Sequence, residues 1–450
     1  MSTSVSSMSD KILECNAASA RYRATLAAVF AVIAAYLAFS VWMFDLPSVA
    51  RKWSPERATM FMLDTYAHKD VVLMEWDRAD DIDVYFEAKV YEYEKDPDWF
   101  SRSTAAAGSR VDIDNGAYFV LTGNTVELHD WPGLDAPLIF GRYADGRPQI
   151  IGYENNRDAL PEWIRWTENK IEVRPDLYTR LQVFGRKAEI HRYSLGWKYF
   201  WFDFRSPLAD VSLFDAIGLM FSSERVDPTQ SNASLVLSEI WYNEIWFHME
   251  IMVAMLETLL MALLGTFFAA LFGLPLAFLA AQNITPFEAV RFGLRRLFDL
   301  LRGIDMLIWS LIFLRAFGPG LFTGAFAIAF TDTGTLGKLM SEAIENADSK
   351  QQEGIRSTGA KKTLQHRFGI LPQIMPIFIS QTLYYFESNV RGAVIIGAMG
   401  AGGIGLQFLG AMQTGTDFEN VAYMAILVLL MVIAIDKTSA RLRRILIGLV

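Results

Sequence analysis

Residues 24–44, ATLAAVFAVIAAYLAFSVWMF, run for 21 positions without a charge. As a helix rising about 1.5 Å per residue, such a run crosses a hydrocarbon core of about 30 Å. A secretory signal is the competing reading, since Lys11, Arg21 and Arg23 precede the run and Ser48-Val49-Ala50 loosely resembles a cleavage site. Signal-peptide apolar regions extend only about 7–15 residues, so a retained anchor is expected.

Further apolar segments follow after residue 247. They run from about Ile251 to Ala281, Leu300 to Phe317, Leu321 to Leu339, Gln373 to Ala398 and Val421 to Ile435, which predicts six spans in all. Arg302, Asp305 and Arg315 interrupt the third, and Gly318-Pro319-Gly320 leaves a short turn before the fourth. Placing the N-terminus in the cytoplasm puts Arg291, Arg295 and Arg296, then Lys350, Arg356, Lys361, Lys362 and Arg367, and finally Lys437, Arg441, Arg443 and Arg444 on the cytoplasmic side, as short basic loops require. The chain thus reads as residues 1–23 cytoplasmic, 24–44 the first span, 45–246 a domain on the far side, and 247–450 the remaining five helices with a cytoplasmic loop at about 350–372. Both termini are then cytoplasmic.

The 45–246 block holds 34 acidic and 22 basic side chains, within a chain whose net charge is −9. No strongly basic domain appears, so nucleic acid is excluded as a partner. Cys15 is the only cysteine, which rules out an intramolecular disulfide and a Cys-based zinc site. Two β-rich runs flank Gly123-Asn124, a hairpin signal, and similar runs recur at 137–153, 181–193 and 198–204. A mostly β domain over about 110–205 is expected, preceded by an acidic helical stretch near 55–95. His68, His129 and His191 lack metal-ligand spacing, and Asp77, Asp80, Asp81 and Asp83 lack the glycine and terminal glutamate of a calcium loop, so no metal site is expected. The aromatic run Trp197 to Phe204 reads as a strand buried on both faces or lying on a membrane surface, with a ligand-stacking platform as the alternative.

Two glycine patterns fail on context. Gly400-Ala-Gly402-Gly403-Ile-Gly405 matches a dinucleotide fingerprint but follows an apolar span instead of a strand. Gly337-Lys338 ends like a phosphate loop, yet Asp332 replaces the leading glycine and Leu339 the magnesium-binding hydroxyl residue.

The strongest signal lies between the fourth and fifth spans: Glu353-Gly-Ile-Arg-Ser-Thr-Gly359, nine further residues to Gly369, then Ile370-Leu371-Pro372. Gly359 lets the chain turn between two short helices, and Pro372 suits a helix start, where its missing N–H costs nothing. This pattern resembles the loop of ABC importer permeases, with Glu353, Gly359, Leu371 and Pro372 at matching positions. Gly354 and Ile355 depart from its paired alanines, and Gly369 from its isoleucine. Residues 257–266, 274–283, 336–346 and 386–405 are similar to the phosphonate-type branch, while Ile304-Asp305-Met306 departs from its usual proline and acidic residue. The resemblance covers about 247–445 and omits the outer domain.

That resemblance implies an α-helical membrane protein of the type I ABC importer permease kind, with the mostly β (α+β) domain inserted between helices 1 and 2. It implies a homodimer in the bacterial inner membrane, two cytoplasmic ATPase subunits docking at Glu353, Gly359, Leu371 and Pro372, and a periplasmic binding protein. It further implies import of phosphonate or a related small phosphorus oxyanion, with ATP and magnesium held by the ATPase subunits and no cofactor on this chain. Charges inside spans are functional candidates. Glu387 and Arg391, four apart, share a helix face. Arg391 is expected to line an anion route together with Asn389, Arg302 and Arg315, Glu387 orienting it, because guanidinium binds phosphorus oxyanions in a bidentate manner. The alternative is a pair that only lowers the cost of insertion. Import of another solute and a membrane-anchored sensor remain alternatives; no arrangement of nucleophile, base and orienting group points to an enzyme.

Overall fold

The computed structural model describes residues 2–48, 55–78, 81–86, 91–104, 106–154, 160–414 and 417–448. The chain divides into two units, Met1–Met62 and Leu63–Val450. In the first, α1 (Ser2–Met43) contains the expected apolar run, and Tyr22–Met43 is long and apolar enough to cross a membrane. Helix α2 (Pro55–Asp64) closes this unit and enters the next.

The second unit opens with two antiparallel sheets. One has seven strands in the order β10-β11-β12-β13-β1-β2-β3, the other six in sequence order from β4 to β9. The first comprises β1 (Ala67–Glu75), β2 (Ile82–Phe86), β3 (Tyr91–Glu92), β10 (Ile164–Trp166), β11 (Lys170–Val173), β12 (Thr179–Phe184) and β13 (Lys187–Leu195). The second comprises β4 (Phe100–Ser101), β5 (Ser109–Asp112), β6 (Tyr118–Leu121), β7 (Val126–His129), β8 (Leu138–Arg142) and β9 (Pro148–Ile150). Val72, Val84, Leu181 and Ile190 of one sheet share a core with Val111, Phe119, Leu128 and Phe140 of the other, so the inner faces pack as a sandwich. The Gly123-Asn124 hairpin forms, with Leu121 opposite Val126 and the Thr122 N–H donating to the Thr125 carbonyl at 2.9 Å.

Two sequence expectations change here. The acidic stretch near 55–95 is helical only to Asp64; residues 67–75, 82–86 and 91–92 are strands. The reason is the run Val71-Val-Leu-Met74, which pairs with β13 on one side and β2 on the other, and central pairing buries both faces. Residues 198–202 and 204–210 form turns and bends, not the expected strand, and Tyr199 sits at φ +55. Their side chains are spent on a joint to the helices that follow α3 (Leu213–Met220) and α4 (Asn232–Trp241).

In that joint Phe200 packs edge-on against Trp246, His248 and Tyr423, with ring centroids 4.8–5.2 Å apart. His248 bridges the Phe200 carbonyl and the Tyr423 hydroxyl, both at 2.7 Å. Asn243 donates to the carbonyl of Tyr199 at 2.9 Å, and the Trp246 indole to that of Lys198 at 3.1 Å. Lys69 on β1 pairs with Glu419 at 3.7 Å in a buried setting. The sandwich is therefore bolted to the first turns of α5 (His248–Ala280) and α13 (Phe418–Ile447). His68 is likewise structural; its Nδ1 meets the Gly196 carbonyl at 3.2 Å, and burial holds its imidazole below the ordinary value.

The helical part packs through small residues. Glycines 265 and 273 of α5 lie against Ile328 and Leu336 of α8 (Leu321–Glu345); a Cβ on Gly265 would stand 2.6 Å from Ile328, while one on Gly273 would just touch Leu336. Gly334 and Gly337 do the same toward α6 (Glu288–Gly303): a Cβ on Gly334 would stand 2.8 Å from the Arg302 nitrogen. The expected third span is not one helix. Ile304 is extended, and the Asp305 carboxylate accepts the Leu307 N–H at 2.8 Å, starting a new helix, α7 (Met306–Phe317). Among the described residues three helices are by themselves long and apolar enough to cross a membrane: Tyr22–Met43, His248–Ala280 and Phe418–Ile447. The run from Lys362 to Ala401 joins α12 (Ile404–Thr414) at a 62° bend.

That bend is the glycine motif. Gly400, Gly402 and Gly403 have φ of +110, +94 and +72, which L side chains rarely adopt. The freed N–H groups of Gly403 and Ile404 donate to Glu257 at 3.2 Å and Thr258 at 2.9 Å on α5. A Cβ on Gly405 would overlap the Val394 carbonyl. The motif is a turn locked to its neighbouring helix.

Candidate functional site

The segment after α8 is built as two short helices around a glycine. Helix α9 (Ser349–Arg356) starts at Asp348, whose carboxylate accepts the Lys350 N–H at 3.0 Å. Gly359 follows at φ +78, and α10 (Lys362–Gln365) begins after it. Pro372 stands in the first turn of the α-helix that follows, as expected, but helical backbone already precedes it. The helical run already begins at Lys362, passes through a π-turn over His366–Ile370, and continues as α11 (Leu371–Ile396). A π-turn shifts the backbone pairing by one residue, which accommodates a proline lacking an N–H within a helical run.

Gly369 lies in that π-turn, 3.1 Å as a hypothetical Cβ from the Gln352 backbone, so α9 folds closely onto it. Gln373 ties both ends: its amide nitrogen donates to the Gly369 carbonyl at 2.6 Å, and its oxygen accepts the Asp348 N–H at 2.9 Å. Sequence reading passed over Gln373 and Asp348; the cap residue before α9 was the available signal. Glu353 and Gly359 are exposed, Pro372 is exposed and Leu371 is half-buried. Leu364 and Phe368 add exposed apolar surface, so the segment presents a mixed apolar and charged face around Glu353.

The intramembrane candidates do not gather in one place. Asn389 is buried and donates to Thr266 at 2.9 Å and to Asp332 at 2.5 Å, joining α5, α8 and α11. Arg391 reaches Glu387 at 3.7 Å and Asp436 at 3.5 Å, and Glu387 also receives Arg443 at 3.4 Å. Two cations and two carboxylates thus form a neutral network between α11 and α13. Arg302 lies elsewhere, at the end of α6, paired with Asp299 at 3.3 Å. Arg315 is exposed on α7.

Arg302 opens onto a cavity of roughly 510 Å³ lined by Arg296, Asp299, Arg302, Gly303 and Thr335. Lys338, the residue after the phosphate-loop-like glycine, donates to Asp299 at 2.8 Å. Among the described residues no group of three or more His, Cys, Asp or Glu side chains is placed to hold a metal ion.

The family of binding-protein-dependent transport system inner membrane components matches residues 273–446. The chain is 39% identical over 187 residues to the putative phosphite transport system permease protein HtxC of Stutzerimonas stutzeri, covering 42% of this chain and 66% of that one. It is 36% identical over 191 residues to the phosphite permease protein PtxC of the same organism, covering 42% of this chain and 69% of the relative. A putative cryptic phosphonate transport system permease protein, PhnE2 of Escherichia coli, is 44% identical over 118 residues, 26% of this chain and 96% of that one. The match covers only 36% of a longer phosphate-import permease protein, PhnE, of Mycolicibacterium smegmatis. An inward-facing MetNI methionine ABC transporter structure aligns over 44% of this chain and 95% of that one at 20% identity, with a TM-score of 0.39, too loose a likeness to carry residue roles. Through its helical part, with the glycine turn at 359 and the helices around it inside the matched region, the chain belongs to the binding-protein-dependent transport system inner membrane components, among the phosphonate-type ABC transport permeases.

Proposed function

We propose that this chain forms the membrane path of an ATP-driven importer for phosphonate or a related small phosphorus oxyanion. The observation that carries the reading is the α9–Gly359–α10 segment, an exposed helix pair clamped by Gln373 within the region shared with the permease family. Its exposed Glu353, Leu364 and Phe368 suit a cytoplasmic ATPase subunit. Glu353, Gly359, Leu371 and Pro372 take the coupling roles, and closure of two ATPase subunits moves this helix pair and the spans joined to it.

Six crossings account for the apolar runs: α1, α5, the end of α6 with α7, α8, α11 and α13, the basic first part of α6 staying in the cytoplasm. With both termini cytoplasmic, the basic loops stay inside and the sandwich lies on the periplasmic side. Two permease chains enclose the path, and a periplasmic binding protein delivers the oxyanion to it. ATP and magnesium belong to the ATPase subunits, and this chain carries no cofactor of its own.

The test is ATP hydrolysis by the full complex in proteoliposomes, with binding protein preloaded with methylphosphonate, phosphite or inorganic phosphate. Stimulation by at least one of these is expected. Stimulation by none, or failure of an ATPase to copurify with the chain, overturns the reading.

A further inference from the structure

The end of α6 lies against α8, where Gly334 meets the backbone of Arg302. Three cations converge there on one carboxylate. Asp299 Oδ1 accepts Lys338 Nζ at 2.8 Å and an Arg302 guanidinium nitrogen at 3.3 Å, while Oδ2 accepts Arg296 at 3.2 Å. The group carries a net charge of +2 beside an open cavity of roughly 510 Å³. Each guanidinium has spent one of five N–H donors on Asp299, and the ammonium one of three.

Three cations gathered on a single carboxylate repel one another unless a further anion shares them. A second charged cluster in the helices, Glu387 with Asp436, Arg391 and Arg443, is already neutral, and Asn389 is engaged by Asp332 and Thr266. Net positive charge, unspent donors and open volume therefore coincide at Asp299.

We propose that Arg296, Arg302 and Lys338, gathered on Asp299, form a transit site for a small phosphorus oxyanion inside the permease. The proposal rests on the import reading above and names where in the chain the anion pauses. A dianion with two or three terminal oxygens matches the +2 charge and the free donors. Asp299 positions the cations and, by its own charge, keeps the anion from being retained.

The experiment measures binding of radiolabelled inorganic phosphate, with methylphosphonate as competitor, to the full chain assembled with its ATPase subunits in nanodiscs, alongside ATPase stimulation. Arg302→Gln and Lys338→Gln are expected to weaken binding about tenfold each, as loss of one charge-assisted hydrogen bond does. Arg302→Lys, which keeps the charge, should recover part of it, and Asp299→Asn should bind more tightly while slowing uptake. Arg147→Gln, the same charge loss on the sandwich surface, should change nothing. Wild-type affinity in Arg302→Gln and Lys338→Gln, or weaker binding in Asp299→Asn, overturns the transit site. If the wild-type complex responds to phosphorus oxyanions while these variants bind as it does, the site falls and the import reading stands. If no phosphorus oxyanion binds or stimulates the wild-type complex, both fall.

Discussion

Positions 359 and 405 favour glycine for different physical reasons. Gly359 sits at φ +78 with nothing within 4 Å of a Cβ, so the only obstacle to a side chain is backbone conformation. Holding an L residue there costs about 1–2 kcal/mol, and asparagine tolerates it better than a β-branched residue. Gly359→Val is therefore expected to abolish uptake and weaken ATPase copurification while the chain still inserts, and Gly359→Asn to retain most of both. Equal activity in the two variants would remove backbone handedness from the coupling step. Gly405 has no such latitude, because a Cβ there would overlap the Val394 carbonyl. The turn at Gly359 was legible from the resemblance of its segment to the permease loop; the collision at Gly405 was not, since it depends on the backbone of Val394 on the preceding helix.

Helices α5, α8 and α11 are tied by one polar knot. Asn389 spends its amide on Asp332 and Thr266, all three buried. Asn389→Leu leaves the Asp332 carboxylate without that donor, at a cost of about 1–3 kcal/mol or more. Asn389→Leu combined with Asp332→Val removes donor and acceptor together and should recover much of the loss, read as the unfolding midpoint of the detergent-solubilised chain. A double variant as unstable as the sum of the singles would show that the two side chains do not act on each other. The network at Arg391 answers the sequence-based choice differently. A Glu387–Arg391 pair was legible from i,i+4 spacing, but Asp436 and Arg443 come from a helix about 45 residues later and neutralise the cluster. Substituting only Glu387 and Arg391 takes from Asp436 and Arg443 the partners they hold in this network.

At the scale of the whole molecule, the sandwich and the helices meet through Phe200, Trp246, His248 and Tyr423, so the sandwich packs directly onto α5 and α13. Trp246 is almost fully buried there. Trp246→Ala should cost about 3–5 kcal/mol and, where the chain remains folded at low temperature, should diminish the stimulation of ATP hydrolysis by loaded binding protein without releasing the ATPase. Undiminished stimulation would mean that the sandwich does not transmit a load to the helices. Excising residues 55–235 would remove Phe200 and Lys69 together, exposing Trp246 and depriving Glu419 of its ion pair, so a point variant reports the coupling more cleanly.

The amino-acid sequence by itself determined where apolar runs begin, that a hairpin turns at Gly123-Asn124, and that the segment around Gly359 bends between helices. Those features depend on neighbours in sequence: span length, turn chemistry and a glycine at positive φ. Tertiary structure decided that residues 67–75 form a central strand, that Trp197–Phe204 becomes a joint, that the run through residue 304 breaks, and that Lys338 meets Asp299. Each of those outcomes depends on which distant element supplies a hydrogen-bond partner, a packing surface or a counter-charge, and local periodicity carries no record of that choice.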